Sequence, residues 1–496
     1  MDFELVPFPS GGDIKQNWSL MLAGGNYPEI IYTKCECLDT FKKYVQAGAV
    51  LPLDQYVANM PNFNSLYKEA IPYWKHAAGD GKLYNWNVST PQDKYNWLES
   101  NDILIRGDIL EEAGWPELLT PDQYVDLLAK AIKDHPETNG QKTIGMVGPF
   151  GEEWGMAGIA PILYEKGYNV QVANSAVIWN QKDEVWEDMF KNPYAKESFE
   201  FLNKLYRAGA LDEESFTDKA AQSSEKIKSG RALAAWYVTW EQSGANKALE
   251  IAGHPELSYV KLPIMPQGAV DKGEKNWTPL QATRPFDWVF LTKNAKDPKR
   301  IMEAVEWASS DEGQIMLQSG IEGVHYTMKD GKRYPTDAYL NGIESDPDYG
   351  VKEGFGIASF LGLAMINSPK DNTPYNMGNI PEVVDRHLTK REKEIYEAMG
   401  WESSQDWWLK NAEAKPVGLA AGIVVDPNSS FGVTEAKLTD FRVKNTPKLI
   451  KASSAEDFEK IYNDLLKDYD KMNPQSLVDE YNRMYKEALA DLKKFE

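Results

Sequence analysis

Hydrophobic positions along this chain switch between two periods. DFELVPF, near the N-terminus, alternates as a strand does. DIKQNWSLMLAG carries a helical pattern that stops at Gly24-Gly25, and EIIYTKC resumes a strand once Asn26 and Pro28 have made the turn. The order repeats. Residues 38–47 read as a short helix stopped by Gly48, residues 65–74 as another, and GKLYNWNVS as a strand after the Asp80-Gly81 turn. NWLESNDILIRGDIL alternates over the length of a long strand. Thr120 is a good N-cap and Pro121 suits the first helical position, so YVDLLAKAI is predicted as an amphipathic helix ending before the polar loop DHPETNGQKT. A second long helix closes at Gly209, a Ser-Gly turn precedes the strand ALAAW, and an Asp-Pro start opens a helix pair after WVFLT. Strand–helix alternation of this kind predicts parallel, helix-covered sheets with ligands at the C-terminal strand ends. Helices dominate from residue 381 onward, without a repeat or low-complexity tract.

Composition narrows the functions available. At 496 residues, two or three domains are expected, each with its own core. Acidic residues outnumber basic ones by 75 to 54, and no stretch reverses the balance into a basic groove, which argues against nucleic acid or an anionic membrane face as partner. Cys35 and Cys37, one residue apart, suit neither a mutual disulfide nor a zinc site. No run of roughly 18 apolar residues is present. MDFELVPFPS has no charged leader, apolar core or cleavage site, so either a leader has been removed or the protein is not exported. The aromatic content adds the positive signal: 16 tryptophans and 25 tyrosines, many beside turns. An indole face buries the apolar face of a pyranose well, although many of these rings are expected simply to pack between helices.

Five segments, in this order, carry a resemblance: LPLDQYV; GKLYNWNVS after its Asp-Gly turn; ILIRGDILEEAGW followed by TPDQY; AAWYVTW; and DPKRIMEAVEWASSDEGQIMLQSGIEGVHY. Together with MLAGGNYPEII they resemble the extracellular solute-binding proteins of bacterial ABC importers, family 1, in the large oligosaccharide- and alginate-binding branch that includes lipoproteins. The resemblance covers most of the first 330 residues. It implies an α/β, two-lobe periplasmic-binding-protein-like fold of type II, with discontinuous lobes joined by three crossing segments and closing by a hinge over a sugar. Lobe one is expected over residues 1–105 and 284–330, and lobe two over 106–283 and 331–496. The implied ligand is an oligosaccharide, neutral or uronide-containing. The implied partners are ABC permease transmembrane subunits, and the implied place is the outer face of the cytoplasmic membrane, as a lipoprotein, or the periplasm. A monomer without a cofactor is expected.

The chain departs from the family pattern twice. Relatives place a strand and a helix before the segment matching DFELVPF, so the sheet of lobe one would lack an interior strand if the sequence is complete, truncation being the simpler explanation. Some alginate-binding relatives carry a calcium loop near DHPETNGQKTIG. Here only Asp134 is an acid at ligand spacing, with Pro136, Thr138, Lys142 and Gly145 at the others, and no calcium is expected.

The candidate ligand-binding residues follow from strand ends and turns. Trp236 ends a small-residue strand before a helix, where a ring either stacks on sugar or packs in the core. Trp240 and Glu241, one turn on, offer a second platform and a hydroxyl acceptor. Arg284 and Trp288 flank a crossing in RPFDW; the arginine grips a carboxylate bidentately or pairs with Asp287. His325 and Tyr326 follow a glycine turn, and a lone histidine is more often a structural hydrogen-bonder. Asn85, Trp86 and Asn87 alternate faces on one strand, Glu153 and Trp154 sit in the Gly-rich FGEEWG loop, and Ser10 and Gly11, with Gly12, form a loop suited to backbone hydrogen bonds. The main rival is a carbohydrate-active enzyme, a glycoside hydrolase or polysaccharide lyase with an aromatic-lined cleft. With 75 acids a carboxylate pair exists by chance, but no G-x-S-x-G, H-E-x-x-H or phosphate-binding motif is present. The reading is of a binder rather than an enzyme.

Overall fold

The computed structural model describes residues 4, 6, 14–33, 38–87, 89–92, 103–152, 159–166, 168–169, 176–236, 239–280, 288–346, 348–416 and 418–494. Strand Trp288–Leu291 lies in the middle of lobe one's sheet, between Ile30–Tyr32 and Asn85–Asn87, in register Ile31 with Phe290 and Asn87 with Trp288. Both pairings are antiparallel, where the alternation of strands and helices led us to expect parallel neighbours. A segment some two hundred residues downstream supplies the central strand and runs against both others. Helix Leu38–Gln46 covers one face, and Phe41 stacks on Trp288 at 4.3 Å with the rings 17° apart. Removing a ring so buried costs about 3–5 kcal/mol, so Trp288 anchors this core. The expected helix at 65–74 is instead two helices, Pro61–Leu66 and Ile71–Ala78. Pro72 explains the break: it has no N–H to continue a helix from residue 68 but is tolerated in a first turn.

Lobe two is built on a four-stranded sheet ordered Tyr259–Leu262, Ile103–Arg106, Ala232–Trp236, Ile144–Val147. Only the last pair is parallel, because Ile103–Arg106 enters against both of its neighbours. The strands are buried on both faces, which is why they read as nearly continuous apolar runs. Helix Pro121–Asp134 starts as its sequence predicts: Thr120 and Gln123 form a reciprocal capping box, at 2.8 and 3.4 Å. The polar stretch after it closes as a tight hairpin, with Asn139 at φ 53° and Gly140 at φ 75°, the left-handed pair of a type I′ turn.

The C-terminal helices Ser430–Ile450, Ala455–Asp470 and Pro474–Leu492 complete lobe two's core rather than forming a domain of their own. Asn482 clamps the last of them to the 177–188 hairpin, accepting from Trp186 N at 3.0 Å and donating to Trp186 O at 2.9 Å. Asn203 donates to the carbonyls of Ile450 and Ala452, satisfying the end of the first.

Residues 331–496 are expected in lobe two, and part of this stretch packs in a cluster of its own. Tyr326, Tyr339, Leu340, Met377, Ile380 and Val383 form a separate small core. That unit is tied to lobe one's helix Asp311–Gln318: Gln314 donates to Gly362 O at 2.9 Å and accepts from Ala364 N at 2.7 Å, and Gln318 donates to Ala364 O at 3.0 Å. Paired glutamines on one helical face hold a strand by its backbone, a link that leaves no hydrophobic period to read. Among the described residues, no helix is long and apolar enough to cross a membrane.

Candidate functional site

With the lobes bounded as the sequence reading has them, the sheet of lobe one ends at Asn87, that of lobe two begins at Ile103, and the chain rejoins the sheet of lobe one at Trp288. Each lobe therefore presents a paired strand end to the crossing: Asn87 beside Trp288 in lobe one, Ile103 beside Trp236 in lobe two.

Three expected platforms are core residues in this structure. Trp236 is fully buried in lobe two's main cluster. Trp288 spends its ring on Phe41, and Trp86 points to the other face of the sheet, where its Nε1 donates to Phe360 O at 2.7 Å. Strand ends buried on both sides claim these rings for packing, so the core alternative weighed for Trp236 describes it here. Trp240 differs. It follows on the short helix Thr239–Glu241 and is 51% exposed. Glu241 is already engaged: it accepts from Ser224 Oγ at 2.8 Å and lies 3.2 Å from Lys228 Nζ.

Asn85 is completely buried, and neither Oδ1 nor Nδ2 has a hydrogen-bond partner. Its cross-strand partner in register is Phe290, and Asn85 itself lies two residues before Asn87 at the end of the strand. A buried amide left unbonded costs on the order of 1–3 kcal/mol. Asn87 is supported differently: its carbonyl accepts from Tyr67 Oη at 3.2 Å, and burial raises the Tyr67 phenol's pKa, keeping it a donor. Tyr67 is a positioning residue that sequence reasoning missed, because nothing in its spacing links it to a strand 20 residues on.

His325 and Tyr326 belong to the small 326–383 core, not to the crossing. The histidine is structural: its Nδ1 accepts from Ile321 N at 3.0 Å, its Nε2 lies 3.1 Å from Glu353, and Phe355 packs edge-on to it. Arg284, Glu153, Trp154, Ser10 and Gly11 lie outside the described residues.

Lobe two also holds a cluster with metal-ligand chemistry, Asp212, Glu214 and Asp218. The ammonium of Lys226, 3% exposed, sits among them at 2.7, 2.7 and 2.6 Å. Burial alone would lower its pKa; the three hydrogen-bonded carboxylates outweigh that and raise it. The cation this cluster calls for is supplied by the chain itself.

Comparison with known proteins gives three kinds of match. The model of the bacterial extracellular solute-binding protein family matches residues 4–315. The polygalacturonan/rhamnogalacturonan-binding protein YtcQ of Bacillus subtilis is 21% identical over 320 residues, 63% of this chain and 59% of its own length. Lipoprotein LipO of the same organism is 23% identical over 343 residues, 65% of this chain and 63% of its own. The chain thus spans less than two thirds of the length of these curated relatives. Among solved structures, the S. pneumoniae ABC-transporter substrate-binding protein FusA, an EF-hand mutant in complex with fructo-nystose, superposes with a TM-score of 0.61 at 16% identity, covering 96% of this chain and 91% of that one. At that identity the likeness speaks for the two-lobe fold.

Proposed function

Because this chain belongs to the bacterial extracellular solute-binding protein family, we propose that it captures a carbohydrate oligomer between its two lobes and delivers it to the permease of an ABC importer. The likeness to a polygalacturonan-binding relative favours a uronide-containing ligand, and the likeness to a lipoprotein favours anchoring on the outer face of the cytoplasmic membrane. The protein acts as a monomer and as a binder, not an enzyme. Of the described residues, Asn85, Asn87, Trp240 and Glu241 are assigned to the ligand. Arg284, Glu153, Trp154, Ser10 and Gly11 keep the roles their positions suggest.

One observation carries the reading. Among the candidate tryptophans described, Trp240 alone presents an exposed ring, and it does so next to lobe two's strand end. A half-exposed indole beside a crossing offers a sugar ring apolar contact at one edge while leaving its hydroxyls to polar neighbours.

The test is titration of the full chain with an oligogalacturonide and with a neutral oligosaccharide, read by thermal shift and calorimetry. A ligand at ~100 times its Kd adds about 2.7 kcal/mol to stability. Trp240→Ala is expected to weaken binding about tenfold with the melt unchanged. A cooperative melt that neither sugar moves removes the sugar reading. Shortened products after incubation would replace the binder with an enzyme.

A further inference from the structure

The two residues that follow Trp240 each reach a different helix of lobe two. Glu241 stands at the N-cap of helix Gln242–Ala252 yet makes no capping hydrogen bond there. Its Oε2 goes instead to helix Ala220–Lys228, accepting from Ser224 Oγ at 2.8 Å and lying 3.2 Å from Lys228 Nζ. Gln242, buried in the first turn of its helix, reaches helix Lys390–Met399. Its Nε2 donates to Tyr396 Oη at 3.0 Å, across 154 residues of sequence, and Glu392 Oε1 lies 3.5 Å away. The turn that carries the exposed Trp240 ring is thus tied down on two helices by the residues next to it.

Helix Lys390–Met399 is a firm support for the second tie. Ile395, Tyr396 and Met399 belong to lobe two's main core, and Ile395 fills the space that a side chain at Gly107 would need. Thr389 and Glu392 close a capping box at its start, Thr389 N and Oγ1 both donating to Glu392 Oε2 at 2.9 Å. Arg391 pairs with Glu111. Gln242 and Tyr396 are both buried, where water competes least for their bond and where a lost acceptor leaves the amide unpaid.

We propose that Gln242, anchored on Tyr396, is a positioning residue for the ligand: it fixes the Trp240 ring before sugar arrives. Ordering a mobile ring on binding costs affinity, so a ring ordered in advance binds more tightly. Helix Lys390–Met399 thereby becomes a determinant of affinity although none of its residues is assigned to the sugar. This effect on affinity rests on Trp240 being the sugar platform of the proposed function; the effect on the ring needs no ligand.

The experiment labels the full chain with fluorotryptophan and identifies the Trp240 fluorine resonance as the one missing from Trp240→Phe. Without sugar, Gln242→Leu is expected to shift or broaden that resonance. Tyr396→Phe, which keeps the buried ring and removes only the hydroxyl, is expected to do the same. The double variant is expected to go no further than the larger single change, because both substitutions remove one bond. Oligogalacturonide affinity is expected to fall about two- to tenfold in each, the range of one net hydrogen bond, and to fall no further when Gln242→Leu is added to Trp240→Ala. A merely structural role would lower affinity equally in both backgrounds. A cooperatively melting Gln242→Leu or Tyr396→Phe whose Trp240 resonance stays in place overturns the assignment, as does a full additional loss in the Trp240→Ala background. If wild type binds no sugar but the resonance moves as stated, the functional reading fails and the positioning stands.

Discussion

Each lobe buries a polar side chain, and the two are treated in opposite ways. In lobe two, Lys226 lies among three carboxylates, all within 2.7 Å of its ammonium. In lobe one, Asn85 is at least as deeply buried and has no partner for either end of its amide. Full satisfaction makes the first group part of the frame: its burial cost is offset within the chain, and nothing further is asked of it. An unsatisfied group beside a crossing between lobes is a different object, since its cost is borne without return until something arrives to bond it. The contrast separates a charge satisfied within its own lobe from an amide left unbonded, which the proposed function assigns to the ligand.

The largest test of that contrast is Lys226→Met. Removing the ammonium leaves three carboxylates facing one another, and a loss of about 3–5 kcal/mol is expected in urea unfolding. A loss under about 1 kcal/mol would show that the cage is ornamental to stability. Asp188 lies between the two extremes. Burial pushes its carboxyl up to about 6, although Tyr469 Oη and Lys191 N both donate to it. Its folded pKa is above the unfolded one, so the folded state holds the proton more tightly. That contribution is full below about pH 4 and is lost as pH rises through about 6. Asp188→Asn is therefore expected to gain about 1–2 kcal/mol at pH 7.5 and to flatten the stability profile between those limits, as followed by melts across pH. The smallest stability effect belongs to Asn85→Leu. Replacing an unbonded amide by an apolar group of similar size is expected to raise stability by up to about 1 kcal/mol while weakening oligogalacturonide binding at least tenfold. If stability rises and affinity holds, Asn85 is a packing defect and not a reserved contact.

What could be read in the sequence was local. Thr120 with Pro121, and Asp297 with Pro298, start helices where expected, the second capped by Asp297 Oδ1 accepting from Arg300 N at 3.0 Å. Gly209, at φ 70°, ends its helix as predicted. Strand direction could not be read, because the partner of Ile30–Tyr32 lies some 260 residues away and the apolar pattern is the same either way round. The same distance hid the site. The excess of tryptophan was visible, but which rings are claimed by the core depends on long-range partners such as Phe41 for Trp288 and Phe360 for Trp86. Trp240 stands apart because the chain has left the sheet by that residue.

The central strand of lobe one has a consequence for the order of events on the ribosome. Residues 30–87 are made early, yet their sheet has no middle until Trp288–Leu291 has been synthesised, and all of lobe two's sheet is made in the interval. The nascent segment 30–87 lacks its middle strand until then, with Phe41 and Tyr44 without the strand they pack on. Delayed closure of the chain's first sheet leaves these apolar faces uncovered until that strand is made.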